Sequence, residues 1–452
     1  MKPPVKPMPS VFIKTYGCQM NERDSEAVAA QLAARGFSLA VSEKGADVVL
    51  LNTCSVRDMA EQKAIGKMHN LVAAARKQGP AALGFLGCMA QGRGAQLLEE
   101  VPGVQLVLGT QKFHHAADHL HALLSGQRKQ IVDIEAEAGS EAAIREHLPR
   151  PAQVTAFVSI MQGCNQRCTF CIVPFTRGDE RSRAIDDVVG ECRELAARGV
   201  KEITLLGQIV TSFGRREIKP RDGKSPFVQL LEAVHEIDGL ERIRFTSPHP
   251  KGYGDDLAEA YGRLPKLCES AHIPAQSGSD RLLKLMHRGY TRQRFLDIID
   301  KLRQVRPGIG LTTDLIVGFP GETDEDFAAT LSLVRAVEFD NAFIFKYSPR
   351  RDTPAAQMEG QIPAPLREAR HAQLLEAVNA IGARRYEAKA GATLEVLVEG
   401  PSRHNPDRLS GRTRCNKIVV FEGEKRHQGQ LLDLRIQRAG CFTLYGELPL
   451  RL

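Results

Sequence analysis

The stretch Val154-Thr-Ala-Phe-Val-Ser-Ile-Met-Gln162, followed at once by Gly163-Cys164-Asn165-Gln166-Arg167-Cys168-Thr169-Phe170-Cys171, governs the reading of this chain. The first part is an apolar run with the length of a buried strand. The second places three thiols within eight residues, as C-x3-C-x2-C. Three thiolates so close can surround a cubane iron–sulfur cluster and leave one iron without a protein ligand. A structural zinc site ordinarily takes four protein ligands, and neither a second cysteine pair nor a histidine lies nearby.

Downstream, five further runs read as strands: 202–208, 242–248, 269–276, 309–319 and 340–349. Helical stretches such as 184–198 and 323–337 separate them. Six βα units predict a partial (β/α)6 barrel, in which chemistry sits at the C-terminal ends of the strands. Upstream, VFIKTYGC (11–18), ADVVLLNTC (46–54), AALGFLGC (81–88) and QLVLGT (105–110) alternate with helical stretches at 25–36 and 58–78. That alternation predicts a doubly wound α/β N-terminal domain. Cys18, Cys54 and Cys88 fall at the ends of three of these strands, 36 and 34 residues apart. In an open parallel sheet all strand C-termini share one edge, so the three thiols are expected to converge. Residues 126–152 are polar and read as a linker. A helical connector spans about 363–388. From 392 the pattern turns to short alternating strands broken by glycine, as in a small C-terminal antiparallel β-barrel. The expected domains are 1–145, 150–382 and 383–452, in an α/β multidomain chain.

The chain has 452 residues with 42% hydrophobic and 25% charged content, which excludes disorder, collagen and fibrous arrays as whole-chain readings. The net charge of +7 permits a nucleic-acid partner without demonstrating one. Residues 386–452 carry 11 Lys/Arg against 8 Asp/Glu, and small basic β-barrels often bind oligonucleotides. Ten cysteines are too few for a disulfide scaffold of this size. No secretory or membrane-spanning stretch is evident, so a cytoplasmic location and no membrane partner are expected. Cys192, Cys268, Cys415 and Cys441 share no spacing and read as buried or incidental thiols.

C-x3-C-x2-C after the first strand of a partial barrel resembles the signature of radical S-adenosylmethionine (SAM) enzymes. Gly17-Cys18-Gln19-Met20-Asn21-Glu22, Asn52-Thr53-Cys54-Ser55-Val56-Arg57 and Gly87-Cys88-Met89-Ala90-Gln91 resemble the N-terminal motifs of their methylthiotransferase family. Leu205-Leu206-Gly207-Gln208, Ser247-Pro248-His249-Pro250, Gln276-Ser277-Gly278-Ser279 and Asp314 to Thr323 also match, and Gly411-Arg412-Thr413…Asn416 resembles the TRAM-like RNA-binding barrel that closes these proteins. Gln-Met-Asn-Glu after the first cysteine is similar to the tRNA-modifying branch. One departure is Ile209, where the family more often has Asn.

The resemblance implies two [4Fe-4S] clusters. Cys164, Cys168 and Cys171 would hold the cluster that cleaves SAM; Cys18, Cys54 and Cys88 would hold an auxiliary one that carries the donated sulfur. SAM would serve as radical source and methyl donor. Phe170, Gly207, Gln208, Gln276, Asp314, Ile316 and Gly318 are the implied SAM contacts. The substrate would be an isopentenylated adenosine beside the anticodon of tRNA, at position 37, methylthiolated at C2, with Arg412, Arg414 and Lys417 as candidate phosphate contacts. A reductant such as a flavodoxin or ferredoxin and iron–sulfur carrier proteins would be partners of a monomer. Two other readings stay open: the same chemistry on another tRNA adenosine modification or a ribosomal protein, and a non-catalytic iron–sulfur or zinc RNA-binding protein.

Overall fold

The computed structural model describes residues 8–55 and 58–449; the motif residues Val56 and Arg57 lie outside that range. Two compact units are present. The first takes the described residues up to Arg150, together with Met161–Gln166 and Cys171–Arg183; the second takes Pro151–Ile160, Arg167–Phe170 and the chain from Ala184 on.

The first unit is built on a six-stranded sheet of β1 (Ser10–Tyr16), β2 (Ser38–Leu39), β3 (Val48–Thr53), β4 (Ala82–Leu86), β5 (Leu106–Leu108) and β6 (Ile131–Asp133). The order is β2-β1-β3-β4-β5-β6 and every pairing is parallel. All six residues of β3 are buried. Successive strand side chains alternate faces, so Val48 and Leu50 join Val28, Leu32 and Leu120 in one core, while Val49 and Leu51 join Met68, Leu71 and Phe85 in another. Both faces are therefore covered, as a doubly wound sheet requires. The expected linker at 126–152 is only partly one. Ile131–Asp133 is the edge strand, set against β5 with Leu108 opposite Asp133. Three residues carry too little periodicity to reveal it.

The same unit contains a short ribbon, β8 (Met161–Gln162) against β9 (Arg181–Ser182). Two side-chain contacts explain why this stretch groups with the sheet rather than with the expected barrel domain. Thr110 donates its hydroxyl to the Thr176 carbonyl at 2.7 Å, and Arg177 pairs with Asp24 at 2.6 Å.

The second unit holds the six expected barrel strands: β7 (Thr155–Ser159), β10 (Glu202–Leu206), β11 (Arg242–Phe245), β12 (Ser270–His272), β13 (Gly310–Val317) and β14 (Asn341–Lys346). They form two parallel triplets, β11-β10-β7 and β12-β13-β14. The triplets are joined where Ile243 donates to Lys266 O at 2.7 Å and Cys268 donates to Ile243 O at 3.0 Å. Helices such as Ile185–Ala197, Arg292–Val305 and Asp324–Val337 connect the strands. Helix Ala364–Glu387 then leads to a closed five-stranded barrel of β15 (Thr393–Pro401), β16 (Leu409–Thr413), β17 (Ile418–Phe421), β18 (Leu431–Ala439) and β19 (Thr443–Glu447), ordered β15-β16-β17-β19-β18. One pair, β17 with β19, is parallel, which corrects the all-antiparallel expectation. The order explains it: β19 closes the ring between β17 and β18, antiparallel to β18 and so parallel to β17.

Candidate functional site

In the first unit β1, β3 and β4 are neighbours, with Tyr16 opposite Thr53 and Asn52 opposite Leu86. That register aligns the three strand ends and the thiols that follow them. Cys54 donates its N–H to Tyr16 O at 2.9 Å. A Cβ on Gly17 would lie 2.7 Å from Cys54 Cβ, and one on Gly87 would lie 2.1 Å from Asn52 Oδ1. The backbones entering Cys18 and Cys88 thus pass too close to their neighbours for any side chain. Gly87 also has φ +87°, a conformation glycine adopts without strain. Asn52 is fully buried and ties the edge together: its amide donates to Asn21 O (3.0 Å) and Ser25 Oγ (2.9 Å) and accepts from Asn21 Nδ2 (3.2 Å). Asn21 Oδ1 in turn lies 3.4 Å from Cys18 Sγ. The three expected thiols do converge.

Arg177 is buried in the same place. Burial opposes its charge, yet Asp24, Cys88 and Cys18 hold the guanidinium protonated well above its ordinary range. Its ion pair with Asp24 has side chains only 3% and 0% exposed. Hydrogen bonding to Cys54 lowers the Cys18 thiol to about 6, against burial and with help from Arg177. Burial raises Cys88. At neutral pH the set therefore already contains a thiolate, the form that binds metal.

The C-x3-C-x2-C segment is tied down at both ends. Gly163 has φ +79° and a Cβ there would meet Asp179 O at 1.9 Å. Cys164 donates its N–H to Gly178 O at 3.1 Å, and Glu180 N–H donates to Asn165 Oδ1 at 3.2 Å. In the second unit, Arg288 Nη1 donates to Cys168 Sγ at 3.4 Å. Arg288 is buried; its Cζ sits 5.6 Å over the Tyr290 ring, and Nη2 donates to Pro274 O at 3.4 Å. Tyr290 and Cys168 keep it charged despite burial. Cys171 is partly buried.

The expected SAM contacts all lie in the second unit. Phe170 stacks edge-to-face on Phe319 at 6.4 Å and borders a cluster with Leu282, Met286, Ile316 and Tyr347. Gly207 and Gln208 follow β10, and Gln208 Oε1 is buried without a hydrogen-bond partner among the described residues. Gln276, with φ +67°, donates to Asp314 O at 2.8 Å and accepts from the Ile316 N–H at 2.9 Å, so it continues the β12–β13 edge. Asp314 faces His272 Nε2 at 3.4 Å. Gly318 has φ +71°, donates to Glu322 Oε2 at 2.7 Å, and leaves room for Arg367, whose Cγ would be 2.2 Å from any Cβ.

Three regions of the chain match known families: residues 158–334 the Radical SAM superfamily, residues 10–109 the "Uncharacterized protein family UPF0004", and residues 387–448 the TRAM domain. A tRNA-2-methylthio-N(6)-dimethylallyladenosine synthase of Opitutus terrae is 54% identical over 98% of both chains. One of Akkermansia muciniphila is 50% identical over 97% of this chain and 98% of the relative. The chain belongs to the family of these synthases. The solved radical SAM methyltransferase TsrM of Kitasatospora setae shares the fold, with TM-score 0.56 at 14% identity over 77% of each chain.

As a member of this radical SAM family, the chain uses SAM and [4Fe-4S] chemistry. The thiols fit that requirement. Both sets are soft sulfur donors, and each has a buried guanidinium beside it to balance thiolate charge. Arg177 and Arg288 are the two residues sequence reasoning missed. Each is one arginine in a polar stretch, and its buried partner is 153 or 120 residues away.

The expected RNA contacts fare differently, because the turn joining β16 to β17 docks on the partial barrel. Arg242 donates to Arg412 O at 2.6 Å, and Arg244 donates to Arg414 O (3.0 Å) and Thr413 O (2.8 Å). Arg414 is paired with Glu269 at 2.7 Å and donates to Pro265 O at 2.7 Å. Lys417 is 2% exposed, bonded to Asp340 and 4.7 Å over the Tyr386 ring. Arg414 and Lys417 are therefore corrected: acidic and carbonyl partners on the barrel occupy them. Arg412 keeps 36% of its side chain exposed while paired with Glu399 at 3.1 Å.

Proposed function

We propose that the chain adds a methylthio group to C2 of N6-dimethylallyladenosine at position 37 of tRNA, using two [4Fe-4S] clusters. Cys164, Cys168 and Cys171 hold one, and Cys18, Cys54 and Cys88 hold the other. The observation that carries this reading is the convergence of Cys18, Cys54 and Cys88 around the buried Arg177, in a chain whose relatives of matching length are named for this product. When bound, the clusters and SAM supply the reducing electron, the hydrogen-abstracting radical and the sulfur that an unactivated aromatic carbon requires.

The protein supplies aim and charge. Arg288 orients Cys168 and offsets its negative charge. Phe170 would flank the SAM adenine, and the Gln208 oxygen, unpartnered among the described residues, would accept a hydrogen bond from the SAM amino group or a ribose hydroxyl. The base docks on the lumen face of the β12-β13-β14 triplet. There Asp314 lies opposite Phe343 and Ile316 opposite Phe345, beside His272, whose ring is 6.0 Å from Phe343. Phe343 is 49% exposed there, an apolar surface for the base or its dimethylallyl group. Phe343→Ser is expected to raise KM for the prenylated anticodon stem-loop about tenfold, since one base–aromatic stack is worth about 1–3 kcal/mol. SAM cleavage without RNA stays unchanged. Steady-state kinetics with a synthetic stem-loop checks this.

The tRNA partner follows from the family; a flavodoxin or ferredoxin reductant, iron–sulfur carriers, a monomeric state and a cytoplasmic setting complete the proposal. Nucleoside analysis of bulk tRNA from a strain lacking the gene tests it. The methylthiolated nucleoside should vanish, its unmethylthiolated precursor accumulate, and the gene restore the product. Persistence of the product in a strain with no second such enzyme contradicts the assignment.

A further inference from the structure

A cluster in the first unit contains none of the six cysteines named above. Helix Ala116–Leu124 begins just after His115, and His119 lies one turn on, so both imidazoles lie on one side of it. Asp133, the last residue of edge strand β6, faces them. His115 Nδ1 and His119 Nε2 each lie 2.8 Å from the same oxygen, Asp133 Oδ2. The potential ligand atoms of this trio lie within 4.8 Å of one another. Beside it, His114 Nε2 contacts Glu137 Oε1 at 2.9 Å, and the other His114 ring nitrogen is buried without a partner among the described residues.

We infer that His115, His119 and Asp133 form a binding site for one divalent first-row cation, zinc above all. Two imidazoles and one carboxylate are the donor set of open zinc and related sites, which keep a further position for water or another ligand. At present two ring N–H groups converge on one carboxylate oxygen. A hydrated cation sheds water ligands as it bonds the two ring nitrogens and the Asp133 oxygen, and the two displaced ring protons move through solvent to the opposite ring nitrogens. Tetrahedral bonds of about 2.0–2.1 Å set ligand atoms about 3.3 Å apart. The Asp133 carboxylate therefore withdraws by about half an ångström. It is 17% exposed and near the surface, so it has room to do so. Lys112 is the counter-charge already in place, 2.6 Å from Glu137 and 3.7 Å from Asp133. It weakens the site for a dication, and its removal is expected to tighten binding. An ion here ties the helix to the sheet edge through β6.

The test uses holoenzyme with its iron–sulfur clusters assembled anaerobically, so that the six assigned cysteines are occupied. Titration with Co2+ as an optical probe, then displacement by Zn2+, should show one saturable site per chain. Its ligand-field bands should lack thiolate-to-metal charge transfer. His119→Ala and Asp133→Asn should each weaken binding at least tenfold while iron content and SAM cleavage stay at wild-type level. His115→Asn serves as the check if His119→Ala disturbs the helix. Lys112→Met should tighten binding several-fold. The proposal is overturned by the absence of saturable binding, by equal binding in the variants, or by charge-transfer bands that place the metal on cysteine.

Discussion

Replacing Arg177 by Met is expected to cost the first unit about 3–5 kcal/mol, because it leaves the Asp24 carboxylate buried without its counter-charge. Urea unfolding of the apo chain measures this. Iron content after reconstitution is expected to fall from about eight toward about four per chain, since the Cys18, Cys54 and Cys88 thiolates lose the cation that balances them. The loss has a pH signature. Burial already raises Asp24 above its ordinary value against the pull of Arg177, and without Arg177 it rises further. A carboxyl whose folded pKa is raised favours the fold when protonated, so the deficit of the variant shrinks as pH falls and widens as pH rises. Adding Asp24→Asn separates the two roles. The double variant removes the orphaned charge and should recover most of the stability while still failing to load the second set of irons. Full loading by the single variant would show that Arg177 serves only the Asp24 pair.

Lys417→Met is expected to behave as a fold variant rather than an RNA variant. It leaves Asp340 with Arg385 at 3.0 Å as its remaining side-chain cation among the described residues, and costs about 1.5–3 kcal/mol, the loss of one charged hydrogen bond. Asp340 also accepts the Leu311 N–H at 2.8 Å, so the start of β13 loosens with it. A true phosphate contact behaves otherwise: its removal lowers the salt dependence of binding by about one counterion. Melting temperature and the salt slope of tRNA binding should therefore separate, the first falling and the second unchanged. A reduced slope with unaltered melting would return Lys417 to the RNA face.

These residues show where the sequence was legible. The six barrel strands and the converging Cys18, Cys54 and Cys88 could be read because they follow from period and position: an apolar run with a cysteine at its end. Gly17, Gly87 and Gly163 each precede a thiol, and each stands where a Cβ would strike a neighbour. Arg177, Arg288, Arg414 and Lys417 could not be read the same way. A cation's partner is set by tertiary docking, and the three carboxylates and one cysteine sulfur that receive these four lie 77 to 153 residues away. In the sequence a buried arginine looks the same as a solvated one. Strand β6 stayed hidden for a different reason: Ile131–Asp133 is three residues long and only its pairing with β5 makes it a strand.

Two sets of three thiols divide the labour in the proposed reaction. Its most direct test is a Cys18→Ala/Cys54→Ala/Cys88→Ala chain, reconstituted anaerobically, reduced, and given SAM and the prenylated anticodon stem-loop. It should retain about four irons and cleave SAM at close to the wild-type rate, yet release no methylthiolated nucleoside. Loss of SAM cleavage in a chain that still folds and holds those irons would contradict the division.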